Sequence, residues 1–273
     1  MHGQCVGSFQ FLALTTMTDD PFAKAKFDGV LGLARSKVGA ADPAPNFVNS
    51  LFLNKIISKP VFSLYYSQRV SDLSTSQFIV GGNNPALFQG NLDSFAVPED
   101  GRSPLGFWRL QIQDIALGPK SLDLCDRKKC FAYFDSGSEY LGASQDLAKK
   151  LLRAINLEAK CQNLESMKLL RIKIEGKDYT LEPPEYIAQT QLREAVVQKD
   201  GSTQVEISKR CAVELTSINF GNDPDYNVVL GLPFLKKYYT SYTFQEKGAK
   251  GTINAAIGIA LAKHSVSPSL QYS

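Results

Sequence analysis

The chain has 273 residues and a formal net charge of +3; 44% of its residues are apolar and 21% are charged. This composition excludes a disordered chain and allows one large or two ordinary globular domains. No apolar stretch approaches the roughly 18 residues that cross a bilayer. The basic clusters are short and scattered, so we expect no membrane span and no nucleic-acid partner.

The first part of the chain consists of short apolar runs that end at turn residues. Residues 9–16 and 27–34 predict two strands, and the glycines at 29 and 32 indicate that neighbouring backbone comes close there. Residues 46–53 follow two prolines and carry apolar side chains on one face of a short helix. Further strands are predicted over residues 62–66, 78–80, 91–97 and 107–117.

The second part of the chain also consists of short apolar runs that end at turn residues. Residues 107–117 change the phase of their apolar alternation once, which predicts a bulge near Gln113 and Asp114. Ser144 is a suitable N-cap for the helix that follows it. The apolar face of that helix is predicted to comprise Leu147, Leu151, Leu152 and Ile155. Later strands are expected over residues 169–174, 178–181, 205–207 and 212–215, and short strands at regular spacing predict an all-β protein.

One short polar motif stands directly after an apolar run. Asp135 follows residues 131–134 and is followed by Ser136, Gly137 and Ser138. A carboxyl group at the end of a buried strand has a raised pKa unless hydrogen bonds hold its charge, and these three residues are donors within reach. Taken alone, the tetrapeptide is also compatible with a turn between two strands.

Two apolar segments far apart in the chain share a Val-Leu-Gly-Leu core. One segment is residues 28–33 and the other is residues 227–232, and a region of helical character follows each of them. Such internal similarity predicts two related structural units.

Together these segments resemble the pepsin-like aspartic proteases, nearest to the cathepsin D and plasmepsin group. Residues 135–138 are similar to the second of the family's two Asp-Thr/Ser-Gly-Thr/Ser motifs. Residues 27–34 are similar to the segment that closes the first lobe, and residues 228–235 to the segment that closes the second. The resemblance covers the chain from about residue 9 to residue 263.

The resemblance implies an all-β, pepsin-like bilobal fold. Residues 1–92 would form the remainder of the N-terminal lobe and the inter-lobe strands, and residues 93–273 a complete C-terminal lobe. In each lobe of the family, the Asp loop and a later apolar strand ending in glycine cross and hold the carboxylate. The first Asp motif and its flap hairpin are absent from the sequence, so we expect an N-terminally truncated chain with a missing segment of the same protein as its partner.

The resemblance also implies an aspartic endopeptidase. In this chemistry a water molecule is activated between two carboxylates that share one proton, at acid pH. Asp135 would be one of the two catalytic carboxylates. Ser138 would donate to its outer oxygen, the Gly137 N–H would support its inner oxygen, and Ser136 would brace the two loops against each other.

The implied substrate is an extended peptide or protein in the cleft between the lobes. Phe107 and Trp108 resemble the family's cleft-side Tyr-Trp pair and would lie near that groove. The chemistry needs no cofactor and no metal. Serine and cysteine nucleophiles have little support, because His2 and His264 lie near the chain ends and no Gly-x-Ser-x-Gly elbow is present.

The resemblance also implies how the cysteines pair. It implies disulfides between Cys125 and Cys130 and between Cys161 and Cys211, and it leaves Cys5 without a partner. The sequence alone allows other connectivities, with a metal site as the competing use. Disulfides indicate an oxidising compartment, so we expect the secretory pathway with an acidic, lysosome- or vacuole-like compartment or the extracellular space as the destination. No signal peptide is recognised in this sequence.

Several residues depart from the family pattern. Glu139 stands where a small residue is usual, Leu232 where Asp is common and Phe134 where Val is usual, whereas Asp28 occupies a position that is structural in the family. Two alternatives remain open. One is a non-catalytic pepsin-like pseudo-protease that binds peptides or a protein partner, and the other is a homodimer in which two Asp135 loops meet.

Overall fold

β-Strands make up most of the regular structure, which confirms the all-β prediction. The computed structural model describes residues 27–35, 46–68, 75–98, 106–126, 128–197, 203–221, 223–247 and 253–264, together with residues 9, 13, 15 and 16. The strands are β1 Val61–Tyr65, β2 Gln77–Val80, β3 Asp93–Ala96, β4 Arg109–Leu117, β5 Lys120–Ser121, β6 Cys130–Phe134, β7 Leu141–Ser144, β8 Leu170–Ile174, β9 Lys177–Leu181, β10 Ile187–Val197, β11 Thr203–Val213, β12 Leu215–Ile218, β13 Tyr226–Leu230, β14 Tyr238–Lys247 and β15 Ile253–Leu261. The α-helices are α1 Phe47–Leu53, α2 Gln145–Ile155, α3 Pro183–Tyr186 and α4 Leu232–Lys237.

The first predicted helix and the predicted bulge are both confirmed. α1 begins after Asn46, whose side chain accepts hydrogen bonds from the amides of Val48 at 2.9 Å and Asn49 at 3.3 Å. These bonds satisfy amides of the first turn that have no partner within the helix. The pairing of β4 with β8 shifts register between Ile112 and Asp114, which is the position predicted for the bulge.

The predicted strand over residues 27–34 is wrong. The segment forms no strand, and Phe27, Val30 and Leu31 are 56%, 77% and 49% exposed. A strand needs a neighbouring strand to satisfy its amide and carbonyl groups. Within the described residues, no strand pairs with this segment.

The glycines of the same segment lie in open space. A Cβ atom added at Gly29 or Gly32 would have no atom within 4 Å, so the expected close approach of backbone is wrong as well. No other backbone lies close to these glycines because, among the described residues, no strand lies beside this segment. The predicted strand over residues 9–16 lies largely outside the described residues, and Cys5 lies outside them too.

The first sheet has five strands in the order β2, β1, β14, β15 and β3. β1 is antiparallel to both neighbours, and Phe62 of β1 is opposite Tyr242 of β14. The two rings stack with their centroids 4.6 Å apart, and Trp108 packs edge-on against both. The sheet combines strands from the two predicted regions, 1–92 and 93–273, and the boundary between those regions stays a prediction.

The second sheet contains eight strands and carries the candidate site. Seven of them follow the order β12, β7, β13, β6, β4, β8 and β9, and β5 pairs with β4. β6 lies between the parallel strand β13 and the antiparallel strand β4. Both faces of β6 and β13 are largely buried. β6 therefore appears in the sequence as a continuous apolar run, and β13 as an apolar run interrupted by the buried Asn227. β10 and β11 form a separate two-stranded ribbon.

The predicted apolar face of α2 is confirmed except at one position. Leu147, Leu151 and Ile155 are buried, whereas Leu152 is 42% exposed. Leu152 is one residue beyond Leu151, and each residue turns about 100° around the helix axis, so it leaves the buried face. Ser144 occupies the N-cap position, as predicted, but its side chain makes no capping hydrogen bond.

Both implied disulfides are present. Cys125 pairs with Cys130, the first residue of β6, and Cys161 pairs with Cys211 of β11. Within the described ranges, no helix is long and apolar enough to cross a membrane. The same ranges hold no group of three or more histidine, cysteine or acidic side chains that could bind a metal ion.

Candidate active site

Two parallel strands end side by side at the candidate site. Phe134, the last residue of β6, is in register with Leu230, the last residue of β13. Asp135 follows the first strand and Gly231 follows the second. The Asp135 N–H donates a hydrogen bond to the Leu230 carbonyl at 3.2 Å. The loops that leave the two strands are therefore held next to each other at one edge of the sheet.

Gly231 allows these two loops to cross in contact. A Cβ atom at this position would lie 2.2 Å from the Tyr140 carbonyl oxygen and 2.5 Å from the Ser138 carbonyl oxygen. The Leu232 N–H donates to the same Ser138 carbonyl at 2.9 Å. Only a residue without a side chain fits under the loop, and the arrangement matches the crossed loops that the family resemblance implies.

The Asp135 carboxylate projects from this edge into solvent. Its strand β6 is buried, but Asp135 itself is exposed, so the expectation of a desolvated carboxyl group is wrong. The reason is that the strand ends one residue earlier and the side chain extends beyond the sheet edge. The Gly137 N–H donates to Asp135 Oδ1 at 2.9 Å, which is the contact that the resemblance implies.

The two serine hydroxyls of the motif have different surroundings. The Ser138 hydroxyl donates to the Tyr140 carbonyl at 2.9 Å, so it closes its own loop and does not supply the expected hydrogen bond to Asp135. Ser136 is half-buried and lies near Tyr66, whose pKa its hydroxyl lowers. Tyr66 directly follows β1 of the five-stranded sheet.

Two tyrosines near Asp135 were not anticipated from the sequence. Burial raises the pKa of Tyr66, the Ser136 hydroxyl lowers it, and the charge of Asp135 raises it again. Burial also raises the pKa of Tyr242, which Asp135 raises further. Tyr66 continues the alternation of the apolar strand that precedes it, which is the one sequence signal that could have placed it on the core side.

The two residues of the predicted substrate-contact pair have different surroundings in the structure. Phe107 is 41% exposed, and its ring meets Tyr133 edge-on at 5.6 Å, while Tyr133 also contacts Phe220 at 5.5 Å. Trp108 is only 5% exposed, and its Nε1–H donates to the Leu33 carbonyl at 2.9 Å. Trp108 therefore lies in the core and offers no open surface, whereas Phe107 is the exposed member of an aromatic cluster in which Tyr133 and Phe220 are half-buried.

Several known proteins resemble this chain over more than half of its length. A family profile described as eukaryotic aspartyl protease matches residues 1–251. Renin from Rattus norvegicus is 27% identical over 251 residues, which cover 89% of this chain and 55% of the renin chain. Plasmepsin VI from Plasmodium berghei (strain Anka) is 25% identical over 257 residues, which cover 89% of this chain and 52% of the plasmepsin. Cathepsin E from Mus musculus is 28% identical over 194 residues, which cover 68% of this chain and 47% of the cathepsin.

The chain spans about half the length of the curated relatives that it matches. The family profile nevertheless extends over most of the 273 residues, and the recognition made from the motifs is confirmed. This chain belongs to the eukaryotic aspartyl protease family.

Proposed function

We propose that the chain contributes one catalytic carboxylate, Asp135, to an aspartic endopeptidase that hydrolyses peptide bonds in proteins. The observation that carries this proposal is the exposed Asp135 carboxylate at the crossing of two loops, with its Oδ1 accepting a hydrogen bond from the Gly137 N–H. A hydrogen-bonded but accessible carboxylate can accept a proton from a water molecule that a substrate brings close.

The proposed reaction requires a second carboxylate. One acidic side chain acts as general base toward the water while the other, protonated, acts as general acid toward the peptide carbonyl. The sequence has a single Asp-Ser/Thr-Gly motif, at Asp135. We therefore place the second carboxylate on a polypeptide segment outside these 273 residues, and that segment is the partner we propose.

The proposed substrate is an extended peptide with apolar side chains beside the cleaved bond. The partly exposed cluster of Phe107, Tyr133 and Phe220 supports this choice, because β4, which follows Phe107, pairs with β6, which leads to Asp135. No cofactor enters the proposal. The two disulfides support an oxidising compartment, so we propose the secretory pathway as the route of this protein.

Substitution of Asp135 in the native protein tests the proposal. We expect Asp135→Asn to lower the cleavage rate of a denatured protein substrate at acid pH by about 10³-fold or more, since loss of an acid or base group costs about 10²–10⁴-fold. Glu139→Gln is the matched control, because Glu139 is also exposed and lies four residues further on. Equal rates for wild-type protein and Asp135→Asn would contradict the proposal.

A second candidate is a non-catalytic pepsin-like protein that binds peptides or a protein partner. The single Asp motif favours it, and so does the partly exposed aromatic cluster, which can bind a chain without cleaving it. This candidate predicts that wild-type protein and Asp135→Asn bind an apolar peptide equally well and that neither cleaves it. Cleavage by the wild-type protein alone would exclude it.

A further inference from the structure

Arg35 lies at the end of the segment that forms no strand, and it connects that segment to the start of β4. Its backbone N–H donates to the Gly106 carbonyl at 2.9 Å, and its guanidinium Nη2 donates to the Phe107 carbonyl at 3.5 Å. The Trp108 indole Nε1–H donates in the opposite direction, to the Leu33 carbonyl at 2.9 Å. Three consecutive residues immediately before β4 are therefore bonded to this segment.

The side chain of Arg35 is buried against an aromatic ring. The residue is 8% exposed, and its guanidinium carbon lies over the Trp108 ring, 5.8 Å from the ring centre, as in a cation–π contact. A buried charge is costly unless neighbouring groups compensate for it, and here the ring and the Phe107 carbonyl do so. A side chain that is held in this way limits the movement of the backbone that it contacts.

The backbone at this contact leads to the candidate site. The Trp108 carbonyl accepts a hydrogen bond from the Phe134 N–H at 2.9 Å, and Phe134 directly precedes Asp135. The side chain of Phe107 is 41% exposed and meets the Tyr133 ring edge-on, with the ring centroids 5.6 Å apart. This exposed ring therefore stands on a short stretch of backbone that is bonded both to the buried arginine and to the strand that ends at the carboxylate.

We propose that Arg35 is a positioning residue of the candidate active site: it fixes the backbone at Phe107 and so holds that ring where it contacts an apolar side chain of an extended peptide. Gly106 permits the backbone geometry just before the ring, because its φ of 68° lies in the region that favours glycine. Arg35 does not touch the reacting groups and acts through Phe107. The inference rests on the proposed function for the identity of the ligand.

Hydrogen exchange at the Trp108 indole measures how firmly this contact is held. Trp108 is the single tryptophan of the chain, so its indole N–H gives one NMR signal. Arg35→Met removes the guanidinium group but keeps a long stem, and we expect the indole hydrogen to exchange about two- to tenfold faster, the range that corresponds to one hydrogen bond. Arg153→Met is the matched control, because Arg153 is exposed in the last turn of α2 and the same change there should leave the rate unaltered.

Peptide affinity tests whether Arg35 acts through Phe107. The binding of a fluorescent peptide with apolar side chains is measured in the native protein carrying Asp135→Asn, so that cleavage does not interfere. We expect Arg35→Met and Phe107→Ala each to raise the Kd by about three- to tenfold, and the two together to raise it no further than Phe107→Ala alone. With Asp135 intact, Arg35→Met should raise KM by a similar factor and leave kcat within about twofold, because it weakens binding and not the chemical step.

Two results would overturn the assignment of Arg35. One is an unchanged indole exchange rate in Arg35→Met, and the other is a Kd that Arg35→Met leaves unchanged or raises independently of Phe107→Ala. If Arg35→Met does not fold, Arg35→Lys keeps the charge but loses the planar group, and the same comparisons apply. Failure of the proposed function has a different outcome. The expected exchange and affinity effects without peptide cleavage by the protein with Asp135 intact would contradict the catalytic role of Asp135 and leave the assignment of Arg35 in place.

Discussion

The backbone N–H of Leu232 donates a hydrogen bond to the carbonyl of Ser138 at 2.9 Å. This bond fastens the loop after Asp135 to the first residue of α4, just beyond the end of β13. Together with the hydrogen bond from the Asp135 N–H to the Leu230 carbonyl, this bond fixes the position of the carboxylate relative to two parallel strands and the loops that follow them. An exposed side chain is thereby held on a rigid base, as catalytic geometry requires.

Gly231→Ala should damage this base. The added methyl group would lie 2.2 Å from one carbonyl oxygen and 2.5 Å from another, both of them backbone atoms that cannot rotate away. We expect the free energy of unfolding to fall by about 2–3 kcal/mol, the usual cost of forcing an extra carbon into a packed site. Urea unfolding measures this loss. Gly82→Ala is the control, because no atom lies within 4 Å of its added carbon, and equal losses in the two variants would contradict the crossing of the loops.

The two disulfides should differ in their effect on stability. Cys161 and Cys211 are 50 residues apart, whereas Cys125 and Cys130 are 5 apart. If disulfides act by restricting the unfolded chain, replacing Cys161 and Cys211 by serines should lower the free energy of unfolding by about 4 kcal/mol. Replacing Cys125 and Cys130 should lower it by about 2 kcal/mol. Urea unfolding of the two double variants gives both values, and a larger loss for the narrower pair would show that native packing dominates.

Glu214 should make the fold more stable at acid pH. Burial raises the pKa of this carboxyl group, and Lys236 lowers it to a smaller extent. A pKa raised above the ordinary 4.5 means that the folded chain binds the proton more tightly than the unfolded chain. The resulting stabilisation is complete below the unfolded-state pKa and is lost as the pH rises through the folded-state pKa.

Glu214→Gln tests this pH dependence. A neutral side chain avoids the cost of burying the charge, so we expect the variant to be more stable than the wild type near neutral pH, with the difference disappearing as the pH falls below 4.5. Thermal unfolding at several pH values measures the difference. The same pattern in Glu158→Gln, which alters an exposed glutamate, would argue against burial as the cause.

The central strands of the fold were predictable because each is an apolar run that leads directly into a recognisable motif. β6 is a continuous apolar run that ends at a polar motif, and β13 is apolar except for Asn227 and ends at a glycine; both form strands in the structure. Residues 27–34 have nearly the same Val-Leu-Gly-Leu core, yet they form no strand. The difference is the presence of neighbouring strands, which no local composition reveals.

The β10–β11 ribbon was largely missed for the opposite reason. Its strands pair with each other, and side chains such as Val205 and Ile207 are 65% and 61% exposed, so no apolar face marks it in the sequence. The site was only partly predictable as well. The motif identified Asp135, but the hydrogen bond from the Leu232 N–H to the Ser138 carbonyl joins residues far apart in the chain, beyond the reach of any periodic pattern.

The most direct test of the central claim is the intact mass of the native, peptide-cleaving protein from its source, measured before and after reduction. The account predicts a mass above 30.0 kDa, or a second chain that stays with this one, and in either case an additional Asp-Thr/Ser-Gly motif. A fully active protein of 30.0 kDa without a second chain would contradict it, since Asp135 would then work without the second carboxylate that the mechanism requires.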